Sequence, residues 1–335
     1  MNKIYVLDCT LRDGGYINDW RFGDDNSKEL VELISTSGVD VVELAFIKNC
    51  QYEGDKMEFN DMGQITRLFR PSSHKLSAMV EIGYGYPVTS FPERSADTVD
   101  MIRLVVWKRM IKESFEYAKQ LIRKGYEVGI QATRIEQYRP EEFADFVKLF
   151  TQLKPKGIYI VDTFGLLTKQ RLLEYATIAD QYLTDEVCMG YHAHNNMQQA
   201  FSNMVAITEH PWNHPLMIDA SIMGMGRGAG NLSLELLEKY LNESFNGNFN
   251  LEPLYKAADR YILPIFNNQT WGYSIPYLLS AQNGRNPSYV NYFLNKGLNC
   301  EQMSFLFTEM KRNDIGIVYD TQEVDDMISC LFHEK

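Results

Sequence analysis

The sequence predicts a (β/α)₈ barrel followed by a mainly helical C-terminal extension. Short apolar runs alternate with longer stretches in which apolar residues recur at helical spacing, a pattern typical of strand–helix units in a parallel sheet. Eight such units follow one another, and eight is the number that closes a barrel of about 250 residues. We therefore predict a barrel domain over residues 1–245 and an extension over residues 246–335.

The eight predicted strands are short apolar runs. They span residues 4–9, 39–46, 76–82, 101–106, 127–132, 157–162, 186–192 and 216–221. Capping residues mark several of the helices between them. These helices run from Asp25 to Ser35 before Gly38, from Arg109 to Lys124 before Gly125, from the N-cap Thr168 to about Leu183, and from Asn231 to Ser244.

An open, doubly wound sheet is the alternative arrangement of the same units. That fold carries a glycine-rich dinucleotide loop after its first strand. Here the first strand leads instead into Asp-Cys-Thr-Leu-Arg-Asp, residues 8–13, and the glycine cluster Gly224–Gly230 comes after the last strand. The sequence therefore favours the closed barrel.

The sequence pattern of the extension differs from that of the barrel, because the alternation of predicted strands and helices stops near residue 245. Helical spacing recurs over Leu254–Ile262, Ser274–Gln282 and Thr321–Phe332. No low-complexity linker precedes these segments, so we expect the extension to pack on the barrel.

Composition argues against several classes of partner. The net charge of −11 disfavours nucleic acid and anionic membrane surfaces. No apolar run reaches the roughly 18 residues of a membrane span, and the first residues resemble a strand rather than a signal peptide. Five scattered cysteines indicate free thiols, so a cytoplasmic location is expected.

Polar residues at three strand ends predict a metal site. His192 and His194 stand two residues apart at the end of the seventh strand, so both rings point to the same face. Asp13 follows the first strand and Asn231 follows the eighth, and in a closed barrel these three strands are neighbours. Carboxylate, imidazole and amide ligands suit Mg²⁺, Mn²⁺, Fe²⁺, Co²⁺ or Zn²⁺.

Each of these residues also has a purely structural interpretation. The two histidines could form a hydrogen-bonded pair, Asp13 could cap the turn at Gly14, and Asn231 could cap the eighth helix. The convergence of all three clusters at one rim of the barrel favours the metal site.

The same three clusters resemble the signatures of the DRE-TIM metallolyases. The matching segments are Leu11-Arg-Asp-Gly14, His192-Ala-His-Asn195 and Gly226-Arg-Gly-Ala-Gly-Asn231. The resemblance covers about residues 4–245, and within the superfamily the chain looks most like the 4-hydroxy-2-oxovalerate aldolases. It implies that Asp13, His192 and His194 bind the metal, that Asn231 is a fourth contact, and that Arg12 stabilises an enolate oxygen.

The resemblance implies a divalent-metal-dependent aldolase that forms or breaks a carbon–carbon bond beside a 2-oxo acid, with a pyruvate enolate as intermediate. Mn²⁺ or Mg²⁺ is the expected ion, and Zn²⁺ or Co²⁺ are alternatives. Similar aldolases have a histidine base shortly after the Arg-Asp-Gly motif, where this chain has Tyr16. We therefore expect Tyr16 to relay the proton, helped by Tyr273 or Tyr277 of the extension or by a metal-bound water. An aromatic lid over the substrate is the alternative role of Tyr16.

Other functions fit the residues less well. A Claisen-type acyltransferase using acetyl-CoA and a 2-oxo acid is one alternative, and a non-catalytic barrel used for binding is another. A Schiff-base aldolase needs a lysine in the site, but the nearest lysines, Lys48 and Lys108, lie outside the motifs. The resemblance also implies an acylating aldehyde dehydrogenase as partner, and we expect a homo-oligomer.

Overall fold

The computed structural model describes residues 3–69, 74–184, 186–317 and 319–332. Eight parallel strands form a closed ring, because each pairs with the next and the first pairs with both the second and the last. They are β1 Ile4–Asp8, β2 Val41–Ile47, β3 Lys75–Glu81, β4 Met101–Val106, β5 Glu127–Ala132, β6 Gly157–Asp162, β7 Cys188–Ala193 and β8 Leu216–Ala220. The predicted (β/α)₈ barrel is confirmed, with strand ends that differ from the predicted ones by at most two residues.

Helices connect most of the strands on the outside of the ring. They are Asp24–Ser37, Met62–Leu68, Ile111–Arg123, Pro140–Thr151, Lys169–Tyr182, Ala200–Glu209 and Leu234–Phe245, and a single turn, Gly15–Asn18, follows β1. The predicted caps hold: Thr168 accepts a hydrogen bond from the Arg171 amide, and Gly38 ends its helix with a φ of 106°.

The connection between β3 and β4 departs from the repeating pattern. Two 3₁₀ turns, Ile82–Tyr84 and Val88–Ser90, stand where an α-helix would be expected. Pro87 and Pro92 fall in this segment, and proline within a helix removes a backbone hydrogen bond and clashes with the preceding turn. The rim of the barrel at β3 is consequently built from loop.

The extension is helical and shares the core of the barrel. Its helical segments are Glu252–Ala257, Ala258–Ile262, Leu263–Asn268, Ile275–Gln282, Ser288–Asn295, Cys300–Arg312 and Thr321–Phe332. The first predicted helix is longer than expected, because it continues through a π-helical turn to Asn268. Leu254, Ile262 and Trp271 belong to the barrel's apolar core, and a second apolar cluster lies among the later helices. The boundary at residue 245 stays a prediction.

Inward-pointing glycines shape the interior of the barrel. A Cβ atom on Gly190 would lie 2.3 Å from the ring of Tyr159, and one on Gly129 would lie 3.2 Å from both Tyr159 and Arg103. The two glycines therefore leave room for a large pair, in which the guanidinium of Arg103 lies 4.6 Å from the centre of the Tyr159 ring. Of the helices that the structure describes, none has the length and apolar content to cross a bilayer.

Candidate active site

Two histidines present matching nitrogens to one point at the carboxyl end of the barrel. His192 lies in β7 and His194 follows directly after it. Nδ1 of His192 lies 2.9 Å from Oδ2 of Asp219, and Nδ1 of His194 lies 3.1 Å from the backbone carbonyl oxygen of Asp162. These acceptors favour the tautomer with the proton on Nδ1, which leaves Nε2 free to bind a metal. Burial lowers the pKa of His194 to about 4, so its imidazole is neutral at pH 7.

Asp13 brings a carboxylate to the same point. Its Oδ2 lies 3.7 Å from Nε2 of His192 and 3.6 Å from Nε2 of His194. The three candidate ligand atoms all lie within 4.8 Å of one another, a spacing that suits one divalent ion. Burial opposes ionisation of Asp13, but Arg12, the two histidines and the hydrogen bond from Asn231 together outweigh it and hold the pKa of that carboxyl below its usual range.

Asn231 fits a cation site through an atom that has no partner. Its Nδ2 donates to Oδ2 of Asp13 at 2.6 Å. Its Oδ1 is buried and accepts no hydrogen bond from the part of the chain that the structure describes. Nδ2 also donates to the backbone oxygen of Met225 at 3.2 Å, so the orientation of the amide is defined. A buried amide oxygen without a donor can be satisfied by a cation, so the residues present fit a metal ion.

A buried chain of charges connects the two sides of the candidate metal centre. Oε2 of Glu43 accepts hydrogen bonds from Nε of Arg12 at 2.6 Å and from Nη1 of Arg103 at 2.9 Å. Nη2 of Arg103 donates to Asp219, which also contacts His192. Arg103 and both carboxylates are at most 1% exposed. One guanidinium therefore positions the carboxylates that orient Arg12 and His192.

The three candidate metal ligands face an open cavity of about 640 Å³, including its mouth. From the ends of β1 and β8 it is lined by Arg12, Tyr16 and Arg227. The hydrogen bonds of Arg12 to described residues come from Nε and Nη1, so Nη2 is left to face the cavity. Arg227 donates to Asn286, so the extension holds one edge of the cavity.

Only one of the tyrosines named from the sequence lines this cavity. Tyr16 does, and its ring packs 5.2 Å from the guanidinium of Arg227. Burial raises the pKa of Tyr16, so its hydroxyl keeps its proton at neutral pH. Tyr273 is 51% exposed and does not line the cavity, and the hydroxyl of Tyr277 donates to Asn291 instead. The structure thus brings Tyr16 to the metal ligands and leaves Tyr273 outside.

The lysines considered from the sequence are engaged elsewhere. Lys48 forms an ion pair with Glu58, and Nζ of Lys108 lies 2.7 Å from Glu142. Among the residues that the structure describes, no lysine lines the cavity. The geometry offers no amine for a Schiff base at the site.

Four residues that shape the site were not predicted from the sequence: Arg103, Asp219, Glu81 and Trp107. Arg103 is the charged residue in the otherwise apolar strand β4, and charged residues are almost never fully buried unless they are paired. That signal could have marked Arg103. Its partners could not be identified, because they come from strands far away in the sequence.

Comparison with known proteins agrees with this geometry. Residues 3–259 match the protein family described as HMGL-like. The matched span is more than half of the chain and contains every residue of the candidate metal centre. The resemblance inferred from the three motifs is confirmed.

Curated relatives are similar at low identity. The chain is 26% identical over 275 residues to 4-hydroxy-2-oxovalerate aldolase of Geobacillus genomosp. 3, covering 79% of this chain and 78% of that protein. It is 24% identical over 240 residues to oxaloacetate decarboxylase of Mycobacterium tuberculosis, covering 69% of this chain and 68% of that protein.

Solved structures share the fold. The N-terminal domain of a candidate aldolase from Bacteroides vulgatus superposes with a TM-score of 0.71 at 25% identity, covering 87% of this chain and 96% of that domain. HMG-CoA lyase of Brucella melitensis superposes with a TM-score of 0.62 at 15% identity, covering 79% and 99%.

Proposed function

Because this chain belongs to the HMGL-like family, we propose that it is a divalent-metal-dependent carbon–carbon lyase acting on a 2-oxo acid. The reaction we favour is the reversible aldol cleavage of a 4-hydroxy-2-oxo acid to pyruvate and an aldehyde. Relatives named as an aldolase and a decarboxylase support the broader class.

The observation that carries the proposal is the grouping of Asp13, His192 and His194. Their candidate ligand atoms lie within 4.8 Å of one another, and Nδ1 of each histidine already has a hydrogen-bond acceptor. Hydrogen-bonded imidazoles beside an ionised carboxylate are typical of a built metal site. Mn²⁺ or Mg²⁺ is the ion we expect, with Asn231 as a further contact.

Arg12 would bind the substrate oxygen on which negative charge develops. Its Nε donates to Glu43 and its Nη1 to Asp13, whereas Nη2 donates to no described residue. A guanidinium fixed at two nitrogens presents its third without further loss of side-chain freedom.

Tyr16 would exchange a proton with the hydroxyl on carbon 4. Because burial raises the pKa of Tyr16, its hydroxyl is protonated at neutral pH and can give its proton to the alkoxide that forms on the aldehyde oxygen during condensation, after which solvent reprotonates it. In cleavage Tyr16 would accept the proton of the carbon-4 hydroxyl while its own proton passes to solvent.

Bond cleavage between carbons 3 and 4 leaves an electron pair on carbon 3 that must be delocalised onto the ketone oxygen. A divalent ion held by Asp13, His192 and His194 would supply a Lewis acid for that oxygen. No lysine in the described part of the cavity could serve instead as a Schiff-base electron sink.

Proton exchange tests this function without knowledge of the aldehyde. In D₂O with Mn²⁺, we expect the protein to exchange the methyl protons of pyruvate, as followed by NMR. EDTA should stop the exchange and Mn²⁺ or Mg²⁺ should restore it, whereas His192→Ala and Asp13→Asn should lose both exchange and bound metal. Full exchange after exhaustive chelation, or a lysine adduct trapped by borohydride, would show that the mechanism is wrong.

Two other reactions are distinguished by their products. Decarboxylation of oxaloacetate would pass through the same enolate, and the relative from Mycobacterium tuberculosis favours it as a second candidate. A Claisen-type acyltransferase would release the CoA thiol from acetyl-CoA and a 2-oxo acid, and we expect no such release.

Three further proposals concern the surroundings of the enzyme. An acylating aldehyde dehydrogenase would consume the aldehyde and would dock on the extension. We also propose that the protein forms a homo-oligomer and that it is located in the cytoplasm. Co-purification and sedimentation of the intact chain test the first two.

A further inference from the structure

The wall of the cavity opposite the metal ligands carries a carboxylate that the proposed chemistry does not use. Glu81 ends β3, and β3 lies four strands away from β7 in the ring of eight. Glu81 and Trp107 both line the cavity, and their neighbours Met79, Val105 and Phe46 are apolar. The wall is therefore an apolar surface with one acidic group.

Glu81 is only partly satisfied by the protein. Its Oε1 accepts a hydrogen bond from Nε1 of Trp107 at 2.8 Å. Its Oε2 forms no hydrogen bond and no ion pair with the described residues. Because Glu81 is only partly buried and lines the cavity, this second oxygen is accessible to a ligand and can accept a hydrogen bond from it.

Trp107 holds Glu81 in a fixed place. The guanidinium of Arg134 lies 4.7 Å from the centre of a Trp107 ring, and that of Arg109 lies 5.7 Å away. Arg134 is itself anchored, because its Nη2 donates to the backbone oxygen of Ile317 at 3.2 Å. Because Oε1 of Glu81 is hydrogen-bonded to the packed indole of Trp107, Oε2 is held at a defined position in the cavity.

The charges around Glu81 select the type of donor. A carboxylate can accept hydrogen bonds from an ammonium group or from a hydroxyl. Arg109, Arg134 and Arg227 all interact electrostatically with Glu81, and they would repel a cationic ligand. A neutral hydroxyl remains as the donor that this wall fits.

We propose that Glu81 binds a hydroxyl group on the aldehyde half of the substrate, so that the enzyme acts on hydroxylated aldehydes rather than simple alkyl aldehydes. This inference rests on the proposed aldolase function. In condensation, carbon 3 of pyruvate loses a proton and its electron pair forms the new bond to the aldehyde carbon. The aldehyde oxygen gains a proton from the Tyr16 hydroxyl, so one proton is released and one is taken up. The hydroxyl bound by Glu81 lies further along the aldehyde and takes no part in bond formation.

A matched pair of aldehydes tests the proposal. The rate of condensation of pyruvate with glyceraldehyde is compared with the rate of its condensation with propanal. The concentration of each aldehyde is given as that of its unhydrated carbonyl form. We expect kcat/KM to favour glyceraldehyde by about ten- to a hundredfold, the scale of a hydrogen bond to a charged group. A ratio near one in the unmodified enzyme would overturn the proposal.

Variants then assign the preference to Glu81. In Glu81→Leu, the ratio of kcat/KM for glyceraldehyde to that for propanal should fall to within about threefold of one. Glu81→Gln keeps an acceptor oxygen, so its ratio should lie between those of Glu81→Leu and the unmodified enzyme. Glu136→Gln is the matched control, because this buried glutamate follows β5 but does not line the cavity. An unchanged ratio in Glu81→Leu would overturn the proposal even if the unmodified enzyme prefers glyceraldehyde.

Deuterium exchange into pyruvate, measured on the same samples, separates this inference from the function on which it rests. The exchange requires no aldehyde, so it should survive in Glu81→Leu and Glu81→Gln. Absence of exchange in the unmodified enzyme would contradict the aldolase function. Normal exchange with no aldehyde preference would contradict only the role of Glu81.

Discussion

Arg103 shows how a residue that no substrate touches can determine the geometry of a site. It is fully buried and contacts both Glu43 and Asp219, which in turn hold Arg12 and His192. Removing one partner from a buried charge network leaves the others unpaired, at a cost of about 3–5 kcal/mol. The whole arrangement is therefore sensitive to this one side chain.

We predict that Arg103→Met weakens Mn²⁺ binding about ten- to a hundredfold, the scale typical of lost outer partners of metal ligands. Arg103→Lys should keep part of the affinity, because it restores a charge without the forked geometry. Isothermal titration of metal-free protein measures the effect. Arg285→Met, which removes a buried arginine of the extension, is the control. Unchanged affinity in Arg103→Met would show that Arg103 serves only the fold.

Tyr16→Phe should separate two halves of the reaction. We expect turnover with aldehyde to fall at least about a hundredfold, since a general acid commonly contributes that much. Pyruvate exchange and metal binding should be nearly unchanged. Tyr273→Phe should turn over almost normally, because Tyr273 is half exposed and outside the cavity. If Tyr16→Phe cleaves substrate at the normal rate, Tyr16 is only a cover for the site.

At the scale of single strands, most of the site was predictable. The alternation of side chains along a strand places His192 and His194 on one face, and closure of the barrel brings Asp13 beside them. Pairing inside the barrel was not predictable, because Arg103 reaches Asp219 across 116 residues of sequence. The position of Tyr273 outside the cavity was not predictable for a related reason: helical spacing in the extension does not specify where the preceding loop lies.

The strand β7 also depends on a glycine. We predict that Gly190→Ala destabilises the protein by about 1–3 kcal/mol, the usual effect of overpacking, because its Cβ would meet the Tyr159 ring at 2.3 Å. Gly54→Ala is the matched control, since no atom lies within 4 Å of the added Cβ. Urea denaturation compares the two. Equal midpoints would mean that the barrel interior can rearrange around Tyr159.

At the scale of the whole molecule, a buried acid joins the first and last helices of the barrel. Oε1 of Glu238 lies 2.6 Å from Oγ of Ser37, and Oε2 is buried without a hydrogen-bond partner in the described chain. Burial raises the pKa of Glu238 to about 8. A protonated carboxyl can donate to Ser37, whose own proton then reaches the carbonyl oxygen of Ile34.

This acid predicts a pH dependence of stability. The folded state holds a proton that the unfolded state releases above the ordinary glutamate pKa of 4.5, so this contribution is complete below that pH and is lost as pH rises toward about 8. The free energy of unfolding should therefore decline between pH 5 and 8, in part because of Glu238. We expect Glu238→Gln to show a smaller decline over that range. Chemical denaturation across that range measures it. Parallel curves for both proteins would contradict the assignment.

The two walls of the cavity come from different strands, and this bears on how such an enzyme can change. Asp13, His192 and His194 come from β1 and β7, whereas Glu81 and Trp107 stand at the ends of β3 and β4. Beyond β3 the rim is loop rather than helix, and loops tolerate insertion and replacement far better than packed helices. A lineage could therefore acquire new aldehydes by altering that loop, one substitution at a time, while its carbon–carbon chemistry is inherited intact.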